Sequence, residues 1–517
     1  MSEHYRLADV IGALSVVADL GFGLPPLQAV RSSLISAALA RHLGVGDDDL
    51  QASFYAPLLM HVGCISMAHE TAALYGNEIA ITRAVAMTNL ADPDDIVAKL
   101  VPVAARELQI RGRQDSLDEV MDQADDFGKH FDTASSEVAR QTAGRIGLPE
   151  HVQTCLYEVD EAWQGGGAPR GLVGEDIALP ARITRLASDA AYFNNLGGTG
   201  LAIEAIRARA GTLHDPDLAQ AFIAEAEKIL EDANAEEPAT HLTRAEPDPV
   251  IEVDRTQLME VAAAFGDAAD LKTPYTHGHS GATAQLALAA GEHVGLDGDA
   301  IEALRLAAFL HDVGRVAVSN AVWEKAGSLN STEWEEVRVH AYQAERILGR
   351  SDALAGRARS VGMHHERLDG SGYHRGSRGT EIPMEARLLA VADAWAAMQQ
   401  HRPHRPALDP ESSAANLHSE VKEGRLDPAA VTAVLEVVGR PASPSRVLPA
   451  GLSSREVEVL RLVAAGLSNP EIAGRLHISR RTAEHHVQHI YTKIGLATRP
   501  GAAMFALQHG LLEPIGH

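Results

Sequence analysis

The sequence predicts an all-α protein, and three observations carry that expectation. Aromatic residues are only 4% of the 517 residues while apolar residues reach 45%, and the abundant Ala, Leu and Val recur at helical rather than alternating spacing. Two long stretches of the chain repeat one another at a fixed offset, each opening with a helical apolar run. The C-terminal stretch 451–517 reads as a series of short, capped helices.

Length and charge bound the rest. A chain of this length is expected to hold about three domains. Proline-broken stretches at 232–250 (DANAEEPATHLTRAEPDPV) and 439–450 (GRPASPSRVLPA) divide it into 1–235, 250–438 and 451–517. Two cysteines, Cys64 and Cys155, cannot form a disulfide framework and suit a reducing compartment. The start of the chain lacks a signal-peptide pattern, and no run of about 18 uncharged apolar residues appears, so a cytoplasmic protein without membrane contact is expected. A net charge of −25 argues against the whole chain being a nucleic-acid binder, with a local exception at the C-terminus.

The repeat is the main organisational signal. RHLGVGDDDLQASFYAPLLMHVGC (41–64) matches GEHVGLDGDAIEALRLAAFLHDVGR (291–315) at a constant offset of 251. Further on, GGGAPRGLVGEDIALPARI (165–183) matches GSGYHRGSRGTEIPMEARL (370–388) at an offset of 205, and GTLHDP (211–216) parallels GRLDP (424–428). Matches in the same order point to an internal duplication.

Within 250–410 the metal-binding side-chain types come in a definite order: His279, His311–Asp312, His340, His364–His365 and Asp393. Imidazoles and carboxylates together suit iron, manganese, zinc or nickel. The His-Asp doublet ends an apolar helical run, where neighbouring side chains can face two ions and the carboxylate can bridge them. Such a pair of ions can activate water and clamp the oxygens of a phosphoester.

These residues, in the motifs FLHDVGR and MHHERLDGSGY with the later LAVADAW, resemble the HD superfamily of metal-dependent phosphohydrolases, and within it the HD-GYP group. The resemblance spans roughly 271–430. It implies a helical bundle and two divalent metal ions, with iron or manganese expected, held by His279, His311, Asp312, His340, His364, His365 and Asp393. It implies catalytic roles for His311, Asp312 and Arg315, the last standing where the family has a phosphate-contacting lysine; a guanidinium can fork onto two phosphate oxygens. Two departures matter. The GYP proline is His374, and Tyr275 stands where some relatives carry a glutamate that would serve a third metal. The group is associated with cyclic di-GMP hydrolysis, so a phosphoester or nucleotide is the implied ligand. Arg375, Arg378 and the HRPHRP segment (401–406) add basic residues nearby.

Carried onto the first repeat, the ligand set fails. His311–Asp312 become Met60–His61, Arg315 becomes Cys64, His364–His365 become Val159–Asp160, Asp393 becomes Ser188, and His279 falls near Gln28. Methionine and valine do not ligate such ions, so a degenerate helical domain with a structural or sensing role is expected. Nothing around Cys64 predicts a lowered thiol pKa.

In the C-terminal stretch Ser454, Asn469 and Ser479 are expected to cap successive helices ending near Gly466, Leu476 and Ile494. Ala483, Val487, Ile490 and Ile494 line one face of the third. Seven Arg/Lys face five Glu, a local charge of +2 that leaves −27 on the rest. SREVEVL, GLSNPEIA and SRRTAEHHVQHIYTKIG resemble the LuxR-type DNA-binding domain, a four-helix helix-turn-helix. The resemblance implies that Glu484, His485 and Gln488 face base edges while Arg480, Arg481, Thr482 and Lys493 contact phosphates. A homodimer on two half-sites is expected, since the acidic body opposes monomeric binding.

The expectation is therefore a cytoplasmic regulator joining a metal-dependent phosphohydrolase to sequence-specific DNA binding and transcription control. The competing reading is a non-enzymatic transcription factor whose HD-type domain only senses a nucleotide or metal.

Overall fold

A computed structural model describes residues 4–110, 124–439 and 448–512. Glu513 of the charge balance and most of the 439–450 stretch lie outside the described residues. Among the described residues the protein is all-α, its one sheet being a two-residue ribbon in which Tyr5–Arg6 pairs antiparallel with Glu252–Val253. No described helix is long and apolar enough to cross a membrane.

The chain forms two compact units, Met1–Gln257 with Ser319–Ala321, and the remainder from Leu258. The stretch 232–250 belongs to the first unit rather than linking two bodies. Its prolines hide a helix, Ala239–Ala245, whose Leu242 is buried against Gly12, where an added Cβ would lie 2.4 Å from the Leu242 Cδ2.

Each unit contains the same succession of helices. Gln28–Leu43, Asp47–Leu59, Ala124–Arg145, Glu150–Glu158 and Leu179–Arg209 correspond to His279–His293, Gly298–Leu310, Ser331–Leu348, Asp352–Gly362 and Met384–Gln399. The drop in offset from 251 to 205 marks an insertion in the first unit that includes the helices Ala68–Tyr75, Glu78–Met87 and Val101–Ile110.

Contacts repeat with the helices. Asp19 accepts the Ala29 N–H at 3.1 Å, and Asp270, at the same offset, accepts the Ser280 N–H at 2.8 Å. Glu161 accepts the N–H groups of Arg170 and Leu172; Glu366 accepts those of Arg375 and Ser377. Arg182 pairs with Asp215 at 2.6 Å, and Arg387 with Asp427 at 2.8 Å.

The shared glycine after the apolar run has a steric reason. A Cβ on Gly314 would sit 2.0 Å from the His340 carbonyl oxygen, and one on Gly63 would sit 1.9 Å from the Ser135 carbonyl oxygen. In both units the turn packs directly on the backbone of the next long helix, and only glycine permits that approach. In the second unit this contact brings His340 to His311 and Asp312.

The C-terminal module has four helices: Ser454–Ala464, Asn469–Arg475, Arg480–Ile494 and Arg499–Gln508. The first two caps fall one residue earlier than the spacing suggests. Ser453 and Ser468 close capping boxes with Glu456 and Glu471, each serine sitting three residues before a glutamate. Ser479 caps the third helix as expected, with Ala483, Val487 and Ile490 buried and Ile494 half-buried.

Gly314→Ala and Gly63→Ala are each expected to lower unfolding stability by roughly 1–3 kcal/mol, as overpacking does. Gly281→Ala, in a helix with open space around its Cβ position, should be neutral or slightly stabilising. Urea unfolding of the three variants checks this, and an unchanged midpoint for Gly314→Ala would contradict the packing described.

Candidate metal centre

The centre is built from the ends and inner faces of five segments of the second unit. His279 is the first residue of the His279–His293 helix, and His311–Asp312 follow the end of Gly298–Leu310. His340 lies inside Ser331–Leu348, His364–His365 follow Asp352–Gly362, and Asp393 lies inside Met384–Gln399. All seven expected ligands converge there. Six are buried and His365 is half-buried.

Donor atoms form two groups that share one residue: Asp312 with His340, His364 and His365, and Asp312 with His279 and His311, the atoms of each group lying within 4.8 Å of one another. Among the described residues the first unit contains no such group. Asp312 Oδ1 is 3.4 Å from His340 Nε2 and 3.7 Å from His364 Nε2, while Oδ2 is 3.6 Å from His311 Nε2 and 3.7 Å from His279 Nε2. The two carboxylate oxygens thus face opposite groups.

The imidazoles are oriented for metal rather than for one another. Nδ1 of His311, His340 and His364 donates to the carbonyl three residues earlier, Ala308, Val337 and Val361 respectively. That hydrogen bond leaves the Nε2 lone pair pointing into the centre. His279, at the first position of its helix, has no preceding turn to supply a carbonyl. Its Nδ1 has no partner and its Nε2 donates to Asp393 Oδ1 at 3.0 Å.

The geometry asks for positive charge between these groups. His340 Nε2 and His364 Nε2 stand 3.2 Å apart, and the buried His311 Nε2 has no hydrogen-bond partner. Facing lone pairs at that distance repel unless a proton or cation lies between them, and nitrogen and carboxylate donors suit a borderline divalent ion. The residues present therefore fit the metal that the fold implies.

Titration is tuned the same way. Burial lowers the pKa values of His279, His340 and His365, and takes His364 down to about 3. Burial opposes protonation of His311 too, but the carboxylates of Asp312 and Asp393 raise it to about 9. Although burial would raise Asp312, Arg315 and the surrounding imidazoles hold it well below the usual carboxylate range. His279 does the same for Asp393.

Arg315 sits at the rim. Its Nη1 donates to Asp312 Oδ2 at 3.0 Å and its guanidinium lies 4.0 Å from the Trp323 ring centroid, a cation–π contact that fixes its plane. The other basic residues divide. Arg402 donates to the Tyr275 carbonyl at 2.9 Å, and its pKa is pulled down to about 10 by burial and by Arg315. Arg375 pairs with Glu345, Arg378 completes a turn with Glu381, and Arg405 binds backbone carbonyls, so these three are structural. His374 meets the Tyr342 ring edge-to-face at 5.3 Å and reaches Glu345 at 3.4 Å.

Three contributors escape motif reasoning. Asp270 accepts from both the N–H and hydroxyl of Ser280 and so anchors the helix that begins at His279; its repetition at Asp19 is the signal that would have revealed it. Trp323 holds Arg315, with no motif around it. Glu366, inside the HHE motif, organises the glycine loop through the Arg375 and Ser377 N–H groups.

In the first unit the corresponding volume is occupied by protein charge. Arg185 pairs with Asp160 at 2.7 Å, and its guanidinium is held charged, against burial, by Asp160, Asp189 and Asp132. His61 stacks on Phe22 at 5.1 Å, and burial takes its pKa to about 4. Gln28 Nε2 donates to the Ser188 carbonyl at 3.0 Å, the counterpart of His279 meeting Asp393. Ser135 stands where the second unit has His340. Burial raises the Cys64 thiol far above its ordinary value and pushes Cys155 to about 12, so neither is a reactive thiolate.

On the C-terminal module Arg480, Arg481, Thr482, His485 and Gln488 are exposed on one side of the third helix and Glu484 is half-exposed, bound to Arg480 at 2.7 Å. Lys493 is exposed too, and its ammonium binds Glu456 at 2.7 Å and the Gly451 carbonyl at 3.0 Å, which ties the third helix to the first.

Residues 263–430 match the HD domain family and residues 450–506 match the LuxR family of bacterial regulatory proteins. The chain thus carries an HD domain, of the type found in metal-dependent phosphohydrolases, followed by a C-terminal LuxR-family module. Among its relatives is 3'3'-cGAMP-specific phosphodiesterase 3 of Vibrio cholerae, 29% identical over 425 residues, which cover 81% of this chain and 92% of that one. That match extends well beyond the HD segment. The cyclic di-GMP phosphodiesterase response regulator RpfG of Xanthomonas campestris is 37% identical over 150 residues, 28% of this chain and 38% of its own length. A crystal structure of the cyclic GMP-AMP-specific phosphodiesterase V-cGAP3 of V. cholerae shares the fold, with a TM-score of 0.58 at 23% identity, covering 85% of this chain and 99% of that one.

An imidazole must be neutral to take a metal, and His311 holds a proton up to about pH 9, so metal loading through these residues at pH 7.5 is expected to release about one proton per chain. Apparent affinity should rise with pH from 6 and level off near 9. Calorimetry in buffers of different ionisation enthalpy checks this, and a pH-independent affinity would contradict it.

Proposed function

We propose that the protein hydrolyses a phosphodiester bond of a cyclic dinucleotide at a dinuclear metal site and binds specific DNA as a homodimer to control transcription. The observation that carries the hydrolytic half is the pair of donor groups sharing Asp312, with the Arg315 guanidinium at their rim.

Within this reading His279, His311, His340, His364, His365, Asp312 and Asp393 hold the ions, with Asp312 common to both. Bound ions supply the positive charge that activates water and offsets charge developing on the attacked phosphate. Asp312, kept ionised by Arg315, presents one oxygen to each side. Arg315 directs its remaining N–H groups to a phosphate oxygen without changing its plane, because Trp323 fixes it. The backbone hydrogen bonds of His311, His340 and His364 keep each ring in the tautomer that accepts metal.

Substrate class follows from the surroundings and the relatives. A cleft of about 450 Å³ lined by Arg338, Tyr342, Tyr373 and His374, among others, borders the centre through Tyr373, whose ring lies 4.8 Å from that of His365. Aromatic faces and a guanidinium suit a purine, and the relatives named above act on 3'3'-cGAMP and cyclic di-GMP. A sensing role rests on two changes, Arg315 in place of the family lysine and GYH in place of GYP. His374 engages Glu345 and Tyr342 rather than the donor cluster, so the second change leaves the ligand set intact.

For the DNA half, Arg481, His485 and Gln488 form the open face of the third module helix, and Arg480 and Thr482 flank it. Lys493, exposed near the end of the same helix, completes the phosphate-facing set, as Arg480 does while paired with Glu484.

Metal-loaded protein is expected to hydrolyse bis(p-nitrophenyl) phosphate and at least one of 3'3'-cGAMP and cyclic di-GMP. Asp312→Ala should lower that rate by at least about a hundredfold, since even outer partners of metal ligands are worth 10–100-fold. Product release that does not depend on metal, or that survives in Asp312→Ala, would sink the enzyme reading.

A further inference from the structure

The segment Thr273–Gly278 leads directly into His279, and it is held on two sides within the second unit. From within the helical bundle, Arg402 donates to the Tyr275 carbonyl, Gln400 Nε2 to the His277 carbonyl at 3.4 Å, and Thr276 Oγ1 to the Asp270 carbonyl at 2.8 Å. Thr273 Oγ1 donates to Glu324 at 2.7 Å. Asp270 in turn anchors Ser280, the residue after the ligand. On the other side lies the C-terminal module.

The module touches this segment at three points. His277 Nδ1 donates to the carbonyl of Ala464, at the end of the first module helix. Gly466, in the turn that follows, packs so closely on Pro274 that an added Cβ would lie 2.9 Å from the proline Cβ. Gly278, at φ +76°, faces the last module helix and its extension: a Cβ there would lie 3.6 Å from Leu507 Cδ2 and 3.8 Å from Leu512 Cβ. Meanwhile Arg481, Thr482, His485 and Gln488 remain exposed. Docking leaves the DNA-facing residues open while joining the module's frame to the residues just before a metal ligand.

We infer that Thr273–Gly278 couples the metal centre to DNA binding, so that occupancy at His279 is read by the docked module as a change in affinity for DNA. His279 Nε2 now donates to Asp393; serving as a ligand through that nitrogen requires the proton and this hydrogen bond to be given up, and the inference is that the start of the helix shifts with them. Gly278 and His277 adjoin that start, and their partners are module residues. The inference rests on the metal-holding reading of His279. By linkage the effect is reciprocal: DNA must alter metal affinity by the same factor.

The test uses the full-length chain and a fluorescently labelled duplex selected from a random-sequence pool by the chain itself. Anisotropy gives the Kd for duplex with EDTA-stripped and with Mn²⁺-loaded protein, and calorimetry gives the Mn²⁺ Kd with and without saturating duplex. The two ratios are expected to agree and to be about fivefold or more, the lower end of typical coupling. Leu507→Asp removes the contact with Gly278 from the module side and is expected to bring both ratios below about two. Leu512→Asp, beyond the last helix and half-buried, should do the same without touching the module core.

Equal Kd values for stripped and loaded wild type, failure to select any duplex, or coupling that survives in both variants would overturn the inference. Hydrolysis of bis(p-nitrophenyl) phosphate is followed on the same samples. Coupling without hydrolysis supports the inference and removes only the phosphohydrolase reading. Hydrolysis without coupling removes only the inference.

Discussion

The second unit depends on one carboxylate. Asp312 is buried, ionised and four-sided: imidazoles on each flank, Arg315 at its rim, and a helix end beneath it. A buried anion of this kind is costly unless cations or donors surround it. Every nearby feature answers that requirement. The backbone-anchored imidazoles turn their lone pairs inward, which suits a proton or a metal cation. Gly314 lets the next long helix approach within contact of the turn, and without that approach His340 would not reach the carboxylate.

The first unit shows how the same frame behaves once the carboxylate is gone. His61 replaces Asp312, and burial keeps it neutral. The remaining acids, Asp132, Asp160 and Asp189, surround Arg185, a cation supplied by the chain itself. A guanidinium serves the electrostatic role of a metal but offers no open coordination position. The repeated glycines, the buried glutamate under the glycine loop and the Arg–Asp pair after it all persist. The frame stands without the ligand set because it is a packing solution in its own right.

Much of this was legible in the sequence, for particular reasons. The ordered set from His279 to Asp393 is readable because metal chemistry restricts residue types sharply, and the duplication is readable because helix-ending glycines cannot drift. The four helices of the C-terminal module announce themselves through serine–glutamate spacing, although the caps are Ser453 and Ser468 rather than their neighbours. What stayed hidden is tertiary. The Ala239–Ala245 helix sits in a proline-rich acidic stretch whose composition resembles a linker, yet Leu242 has a buried place waiting beside Gly12. Lys493 looks like any free surface cation until the fold sets Glu456 against it. Arg185 and Trp323 carry no local signature, because their meaning comes from partners distant along the chain.

The central claim is that one carboxylate serves two ions. Metal content per chain, measured by plasma mass spectrometry after loading and exhaustive dialysis, tests it most directly when wild type is set beside Asp312→Asn. Wild type is predicted to retain two ions per chain, as expected for a paired site, and the variant, with its fold verified by circular dichroism, to retain neither. A variant that keeps one ion while losing the other would contradict the shared role of Asp312.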